Sequence, residues 1–187
     1  MKKPQQLYDL TIPDDDFKMA TVMERDKANF ESADIWIYLG ADCRNSRYAK
    51  VGMTMGDLRS RSYSSANPNY FLLCAFQCYH NTTKEELELI ESGALNYLDS
   101  VFIQENGLTK RARHFESQRL SECYYDINFD DFFVLLHDYL WEHQCRYFQT
   151  AEYAYDTTRV YGDALSCEFN PRLTVDQQSH FLRLIVR

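Results

Sequence analysis

Three apolar segments in the first half of the chain have the length and composition of β-strands. Residues 35–39 are β-branched, aromatic or leucine and end at Gly40, which predicts a buried strand. An eight-residue polar connection leads from there to a second extended segment, residues 48–52, so the two segments are expected to form an antiparallel hairpin. A continuous apolar run over residues 71–79, bounded by Pro68 and Asn81, predicts a central strand.

Helical periodicity is clearest after the third strand. Thr83 and Glu86 have the spacing of a capping box, which predicts that a helix begins there. The apolar residues that follow recur at helical spacing and are Leu87, Ile90, Ala94, Leu95 and Leu98. A second amphipathic helix is expected to begin at Asn128 or Asp130. Its apolar face is Phe129, Phe132, Phe133, Leu136, Tyr139 and Leu140.

Two further helices are predicted from their starting residues. Pro13 followed by three aspartates places acidic side chains at the positive end of a helix dipole, so residues 14 to about 30 are expected to be helical. Asp57 can cap a short helix that Asn67 and Pro68 would end. The polar residues 105–122 are interpreted as a loop that faces the substrate, and residues after about 145 are difficult to assign.

These elements predict an α+β fold with a small mixed or antiparallel sheet flanked by helices. Residues 1–33 are expected to form an N-terminal helical extension, residues 34–125 the main domain, and residues 126–187 a C-terminal helical extension on the same body. The 187 residues are 45% hydrophobic with only 6 Gly and 4 Pro, which excludes fibrous and disordered classes.

The chain lacks the sequence features of a membrane or secreted protein. No run approaches the ~18 apolar residues of a membrane span, and the basic Met1-Lys2-Lys3 is not followed by the apolar body of a signal peptide. We therefore expect a cytoplasmic protein. The six cysteines include no Cys-x-x-Cys pair and are interpreted as free thiols, with Cys74 and Cys78 acting as small hydrophobic residues.

Charge is distributed unevenly along the chain. The net charge of −8 argues against nucleic-acid binding, because phosphate contacts need Lys and Arg. Residues 44–61, however, contain five basic side chains and one acidic side chain. The C-terminal segment, residues 126–187, carries a net negative charge. It could restrain non-specific DNA binding or dock a protein partner.

Four residues in these elements have the chemistry that phosphodiester hydrolysis needs: Tyr38, Lys50, Arg59 and Glu91. The reaction needs a base for water, a cation for the pentavalent phosphate, and usually a divalent metal held by a carboxylate. Lys50 is expected to lie across the hairpin from Tyr38 and to favour its phenolate form. An arginine fork suits phosphate oxygens, and a glutamate offers a hard oxygen to Mg²⁺.

The same residues carry a resemblance to a known family. Ile37-Tyr38 and Lys50-Val51-Gly52 resemble the two signature strands of the GIY-YIG nuclease superfamily, in the lysine form found in many phage and viral members. In that branch an arginine, a glutamate and a Gly-Glu-Trp-Phe-like element follow in order. Here the matching candidates are Arg59, Glu91 and residues 121–124.

The resemblance implies a DNA endonuclease that uses one Mg²⁺ or Mn²⁺ ion. It makes Tyr38 the general base or its activator, puts Lys50 in place of the second tyrosine, and assigns the scissile phosphate to Arg59 and the metal to Glu91. Two alternatives stay open. Arg61 competes with Arg59, which Tyr63 follows at the next helical turn, and Glu88 competes with Glu91.

Other polar residues are expected to bind the substrate or to be structural. The expected substrate-binding residues are Arg44, Arg47, Lys110, Arg111, Arg113, His114 and Arg119. His137 and His143 are six positions apart, do not share a helix face, and are interpreted as structural. The alternative function is a catalytically weak module on the same framework that binds nucleic acid or a host protein.

Overall fold

The computed structural model describes residues 34–58, 61, 67–154 and 161–187. At their centre lies a six-stranded antiparallel sheet with the order β4-β5-β2-β1-β3-β8, and β6 and β7 form a separate two-stranded sheet. The strands are β1 (Trp36–Asp42), β2 (Asn45–Thr54), β3 (Tyr70–Gln77), β4 (Arg111–Arg113), β5 (Leu120–Tyr124), β6 (Thr150–Ala154), β7 (Tyr161–Leu165) and β8 (Cys167–Phe169). The helices are α1 (Lys84–Val101), α2 (Phe129–Gln144) and α3 (Val175–Ile185), with a 3₁₀ turn at Cys145–Tyr147. The predicted α+β class is confirmed.

The predicted hairpin is confirmed, but its connection is shorter than expected. Only Cys43 and Arg44 separate β1 from β2. The Asp42 carboxylate accepts hydrogen bonds from the backbone N–H groups of Arg44 at 2.8 Å and Asn45 at 3.1 Å, which stabilises a tight turn. The polar residues 45–47 therefore belong to β2. The predicted central strand is also confirmed, because β3 lies between β1 and β8.

The two amphipathic helices begin where their caps predicted. The Thr83 hydroxyl accepts from the Glu86 N–H and the Glu86 carboxylate accepts from the Thr83 N–H, so the capping box at α1 is complete. The Asn128 side chain caps α2 by accepting from the N–H groups of Asp130 and Asp131. All five apolar residues predicted for α1 are buried, as are four of the six predicted for α2.

The central sheet has two different faces. On the helix-covered face, Ile37, Leu39 and Phe76 join the main apolar cluster with residues of α1 and α2, and the Phe76 ring stacks 6.1 Å from that of Phe133. Cys74 and Cys78 lie in this cluster, as predicted. On the opposite face, here called the Tyr38 face, Trp36, Tyr38, Leu72 and Ala75 form a small cluster with Leu58 packed against it. Alternation along β1 separates the two groups.

Two parts of the chain differ from expectation or lie outside the description. The prediction of a loop over residues 105–122 was wrong. These residues contain β4 and most of β5, and the two strands pair as a hairpin. Residues 126–187 contribute α2, α3 and also three strands, and β8 pairs with β3 in the central sheet. The predicted helix over residues 14–30, and the extension over 1–33, lie outside the described residues. None of the described helices combines the length and hydropathy needed to cross a bilayer.

Candidate functional site

Tyr38 and Lys50 are diagonal neighbours on the Tyr38 face. The register pairs Tyr38 with Gly52 and Gly40 with Lys50, so Lys50 lies two residues along β2 from the residue opposite Tyr38. Diagonal neighbours in an antiparallel pair remain within reach of long side chains. The hairpin therefore brings the phenol and the ammonium to the same surface.

The two glycines of this hairpin make room for aromatic rings. A Cβ atom at Gly52 would lie 2.4 Å from the Tyr38 ring, and one at Gly40 would lie 2.3 Å from the Tyr70 ring. Both distances are far below van der Waals contact, so a larger residue would displace the rings. The absence of a side chain at these two positions thus sets where the phenols lie.

Lys50 is held by contacts with two other strands. Its Nζ lies 3.4 Å from the Glu122 carboxylate and 5.9 Å from the centroid of the Tyr70 ring. Burial lowers the pKa of Lys50, but Tyr38 and Glu122 raise it by more than burial lowers it. The pKa of Lys50 is therefore above its ordinary value. Lys50 is therefore a cation at neutral pH. Glu122 immediately precedes Cys123, which is the register partner of Lys50 on β5.

The Tyr38 phenol does not have the lowered pKa that was expected. Burial raises its pKa most, and the carboxylates Glu122 and Glu91 raise it further. Lys50 and Arg61 lower the pKa, which is the predicted direction for Lys50, but burial outweighs them. Tyr38 is therefore a neutral hydroxyl at pH 7, able to donate a hydrogen bond.

Glu91, on α1, is close enough to Tyr38 and Lys50 to interact with them electrostatically. Burial and the nearby Glu122 raise its pKa to about 7, although Lys50 and Arg111 act in the opposite direction. Across the described residues, no side chain or backbone group forms a hydrogen bond or ion pair with the Glu91 carboxylate. The alternative candidate, Glu88, is exposed and lies 3.6 Å from the Lys84 ammonium in a surface pair.

Of the two candidate arginines, the structure describes Arg61. Its Nε donates a hydrogen bond to the Thr54 hydroxyl at 3.1 Å, at the end of β2, and its charge acts on the Tyr38 phenol. Leu58 and Arg61 are both helical, in agreement with the short helix predicted after Asp57. Arg59 and Tyr63 lie outside the described residues.

Arg111 ties the β4–β5 hairpin to α1, which differs from its expected role in binding substrate. Its Nη1 lies 3.0 Å from the Asp99 carboxylate, and its Nε donates to the Ser121 carbonyl. Asp99 also accepts hydrogen bonds from the hydroxyls of Tyr124 at 2.8 Å and Thr109 at 2.7 Å. The side chain of Arg111 is only 13% exposed, so it has little surface to offer a ligand.

The remaining basic candidates lie in two other places. Arg47 and Lys110 both donate to the Asp126 carbonyl, at 3.4 Å and 2.8 Å, and line a cleft of about 570 Å³ at the start of α2. Neither Tyr38 nor Lys50 lines this cleft. Arg44 is exposed at the β1–β2 turn, and the last three candidates, Arg113, His114 and Arg119, lie at or beside the β4–β5 turn.

Two residues at the site were not singled out from the sequence. Glu122 lies in residues 121–124, the segment that resembles the closing element of the GIY-YIG branch. Tyr70 is 7% exposed, and its hydroxyl has no hydrogen-bond partner in the described part of the chain. A buried donor without a partner is rare in folded proteins and is available to a ligand. No local sequence signal marks Tyr70, since its position depends on the pairing of β3 with β1.

A divalent cation fits the donor chemistry of Glu91. Mg²⁺ and Mn²⁺ prefer oxygen ligands, and the Glu91 carboxylate is half-buried without a protein partner among the residues described. The described residues contain no cluster of three or more His, Cys, Asp or Glu side chains arranged to hold a metal. A cation bound by Glu91 would therefore keep most of its own waters, as Mg²⁺ commonly does.

His137 has a structural position. It is fully buried on α2, and its Nε2 accepts a hydrogen bond from the Leu165 N–H at 3.3 Å. Burial lowers its pKa despite the neighbouring Asp138, which keeps the ring neutral.

No protein-family model matches the chain, and comparisons with curated proteins and with solved structures also gave no match. The likeness to the GIY-YIG superfamily rests on the residues quoted above.

Proposed function

We propose that this protein is a nuclease that hydrolyses phosphodiester bonds in DNA with one divalent cation, Mg²⁺ or Mn²⁺. The observation that supports the proposal is that four charged side chains interact electrostatically with the Tyr38 phenol. Lys50, Arg61, Glu91 and Glu122 all act electrostatically on Tyr38, although they come from different parts of the fold. Two cations, two carboxylates and a hydroxyl that interact electrostatically are the groups that this reaction uses.

Each side chain has a role that follows from its charge state. Lys50 and Arg61 are cations and would attract and hold phosphate oxygens. The neutral Tyr38 hydroxyl would donate a hydrogen bond to a phosphate oxygen or to the attacking water. Glu122 would hold the Lys50 ammonium in place through their 3.4 Å contact.

Glu91 would hold the cation. A carboxylate with a pKa of about 7 binds a proton and a cation in competition, so cation binding should strengthen as pH rises through 7. When bound there, the cation would supply charge neutralisation at the phosphate and a water of lowered pKa.

The test compares two glutamates on the same helix. Labelled single- and double-stranded DNA are incubated with the wild type, Glu91→Gln and Glu88→Gln, with and without Mg²⁺ or Mn²⁺. We expect metal-dependent cleavage that falls at least ~100-fold in Glu91→Gln and stays within about twofold in Glu88→Gln. Full activity of Glu91→Gln would contradict the assignment of the metal.

The second candidate function is a module that binds nucleic acid or a host protein without cutting. The raised pKa of Tyr38 and the net charge of −8 favour it, because a neutral phenol is a poor base and an acidic chain repels phosphate. Saturable DNA binding without cleavage of any substrate, at any metal concentration tried, would support this function over the nuclease.

A further inference from the structure

The turn between β4 and β5 has a defined shape. The His114 N–H donates to the Arg119 carbonyl and the Gln118 N–H donates to the His114 carbonyl, both at 2.9 Å. The Arg113 guanidinium donates to the Gln118 carbonyl at 2.8 Å. Gln118 has a positive φ of 56°, the left-handed conformation that closes the turn. The turn is therefore shaped by its own hydrogen bonds.

Phe115 lies at the tip of this turn with its ring in solvent. Its carbonyl accepts a hydrogen bond from the Gln118 side chain at 2.6 Å, which fixes the backbone. Its side chain is 89% exposed, more than any other large hydrophobic residue in the described ranges, and it belongs to neither apolar cluster. An exposed aromatic ring on a turn of defined shape indicates a place where a ligand can pack against the ring.

The charges around Phe115 indicate the chemistry of that ligand. Arg113, His114 and Arg119 flank the ring in the sequence of the turn, and Glu116 is its single acidic residue. All four are exposed. An exposed aromatic ring between arginines is the combination with which proteins bind single-stranded nucleic acid, since the ring stacks on a base and the cations contact phosphates.

The hairpin is also connected to the candidate site. β5 pairs with β2 through Cys123 and Lys50, and Leu120 lies three residues before Cys123, or about 10 Å along the strand. The contact between Arg111 and Asp99 ties the other strand of the hairpin to α1, the helix that carries Glu91. The pairing of β5 with β2 and the contact between Arg111 and Asp99 thus connect the turn to the elements that carry Lys50 and Glu91.

We propose that Phe115 stacks on an unpaired base of the nucleic acid whose backbone lies at the Tyr38 face, with Arg113 and Arg119 binding the adjacent phosphates. This inference rests on the proposed nucleic-acid substrate and narrows its class to DNA with a single-stranded segment. Stacking on a phenyl ring is tolerant of base identity, so the recognition is for strand state and not for sequence.

The test measures binding in EDTA, so that cleavage plays no part. A single-stranded oligonucleotide carrying 2-aminopurine, and the matching duplex, are titrated with wild type, Phe115→Ala, Phe115→Trp and Val175→Ala. Val175, at the start of α3, is 78% exposed and serves as the matched control for loss of an exposed apolar side chain. We expect Phe115→Ala to weaken single-strand binding about tenfold and duplex binding by no more than about twofold.

The other variants complete the test. Phe115→Trp should retain single-strand affinity and quench 2-aminopurine fluorescence, and Val175→Ala should behave as wild type. Unchanged single-strand affinity in Phe115→Ala, equal losses on both substrates, or no DNA binding by the wild type would overturn the inference. A concentration-dependent dimer that Phe115→Ala abolishes would assign the ring to a second copy of the chain and would also overturn it.

The outcome is separate from that of the nuclease test. If the wild type binds single strands through Phe115 but never cleaves, the proposed hydrolysis fails and this inference stands. If the wild type cleaves and Phe115→Ala binds as well as wild type, the nuclease stands and this inference fails.

Discussion

The two faces of the central sheet are built from the same strands but differ in how many apolar side chains they bury and in the polar groups they carry. The helix-covered face is an apolar cluster in which Ile37, Leu39 and Phe76 are fully buried. The Tyr38 face has a smaller apolar cluster and carries a cation, Lys50, and a buried hydroxyl without a described partner, that of Tyr70. Polar groups without partners reduce stability. The comparison indicates that apolar packing is concentrated on one face and that polar and charged groups are concentrated on the other.

A bulge in β3 increases this difference. The register between β1 and β3 shifts between Leu39 and Gly40, so Leu39 pairs with Cys74 whereas Gly40 pairs with Leu72. Leu73 and Cys74 therefore both join the covered core, although a regular strand would point successive side chains to opposite faces. Leu72 lies on the Tyr38 face, directly before Leu73 in sequence.

The largest effect is expected from truncating neighbouring leucines on the two faces. Leu73→Ala should lower the free energy of unfolding by about 3 kcal/mol, because it opens a cavity in the main core. Leu72→Ala should cost about half as much, since its cluster is small and can collapse more easily. Urea denaturation followed by circular dichroism measures both. Equal losses would show that the two faces share the stability evenly.

A smaller effect, dependent on pH, is expected at Glu91. Its pKa is 4.5 in the unfolded chain and about 7 in the folded protein, so the folded protein binds more protons between these values and stability falls as pH rises. Glu91→Gln removes this penalty. We expect it to stabilise the fold by about 1–2 kcal/mol at pH 8, after allowance for solvent screening, and by almost nothing at pH 4.

Glu88→Gln is the control for this measurement, because Glu88 is exposed on the same helix. Its stability should equal that of the wild type at both pH values within about 0.5 kcal/mol. A gain for Glu91→Gln that is the same at pH 4 and pH 8 would mean that desolvation of the charged carboxylate is not its cause.

The smallest effect is expected from the pair between Lys50 and Glu122. The side chains are 29% and 44% exposed, so solvent screens their attraction. A double-mutant cycle with Lys50→Met and Glu122→Gln should give a coupling energy below about 1 kcal/mol in unfolding experiments. In the nuclease assay, both single variants should lose activity. A coupling well above 1 kcal/mol would instead assign the pair a mainly structural role.

Much of the fold could be predicted because its signals are local. The capping box and helical spacing of α1 and the apolar composition of β1 and β3 each act within a few residues. The β4–β5 hairpin could not be predicted in this way. Its strands are three and five residues long and rich in charge, and they are extended because β5 pairs with β2 and Arg111 binds Asp99.

The candidate site was predictable in part for the same reason. Tyr38, Lys50 and Glu91 could be named from motif order, but their charge states depend on burial and on neighbours distant in sequence. The phenol of Tyr38 was expected to have a lowered pKa, and burial raises it instead. Glu122 and Tyr70 reach the site only through the pairing of β5 with β2 and of β3 with β1.

The sequence by itself determined where β1, β3, α1 and α2 form and which residue types are available for chemistry, because capping and side-chain periodicity act between residues that are close along the chain. Only the tertiary structure decided which side chains come close together. It decided that Glu91 is half-buried and interacts electrostatically with Lys50 and Glu122 whereas Glu88 is exposed, and that Phe115 projects into solvent. The physical reason is that burial and electrostatic fields depend on distance through space, which strand pairing and packing establish.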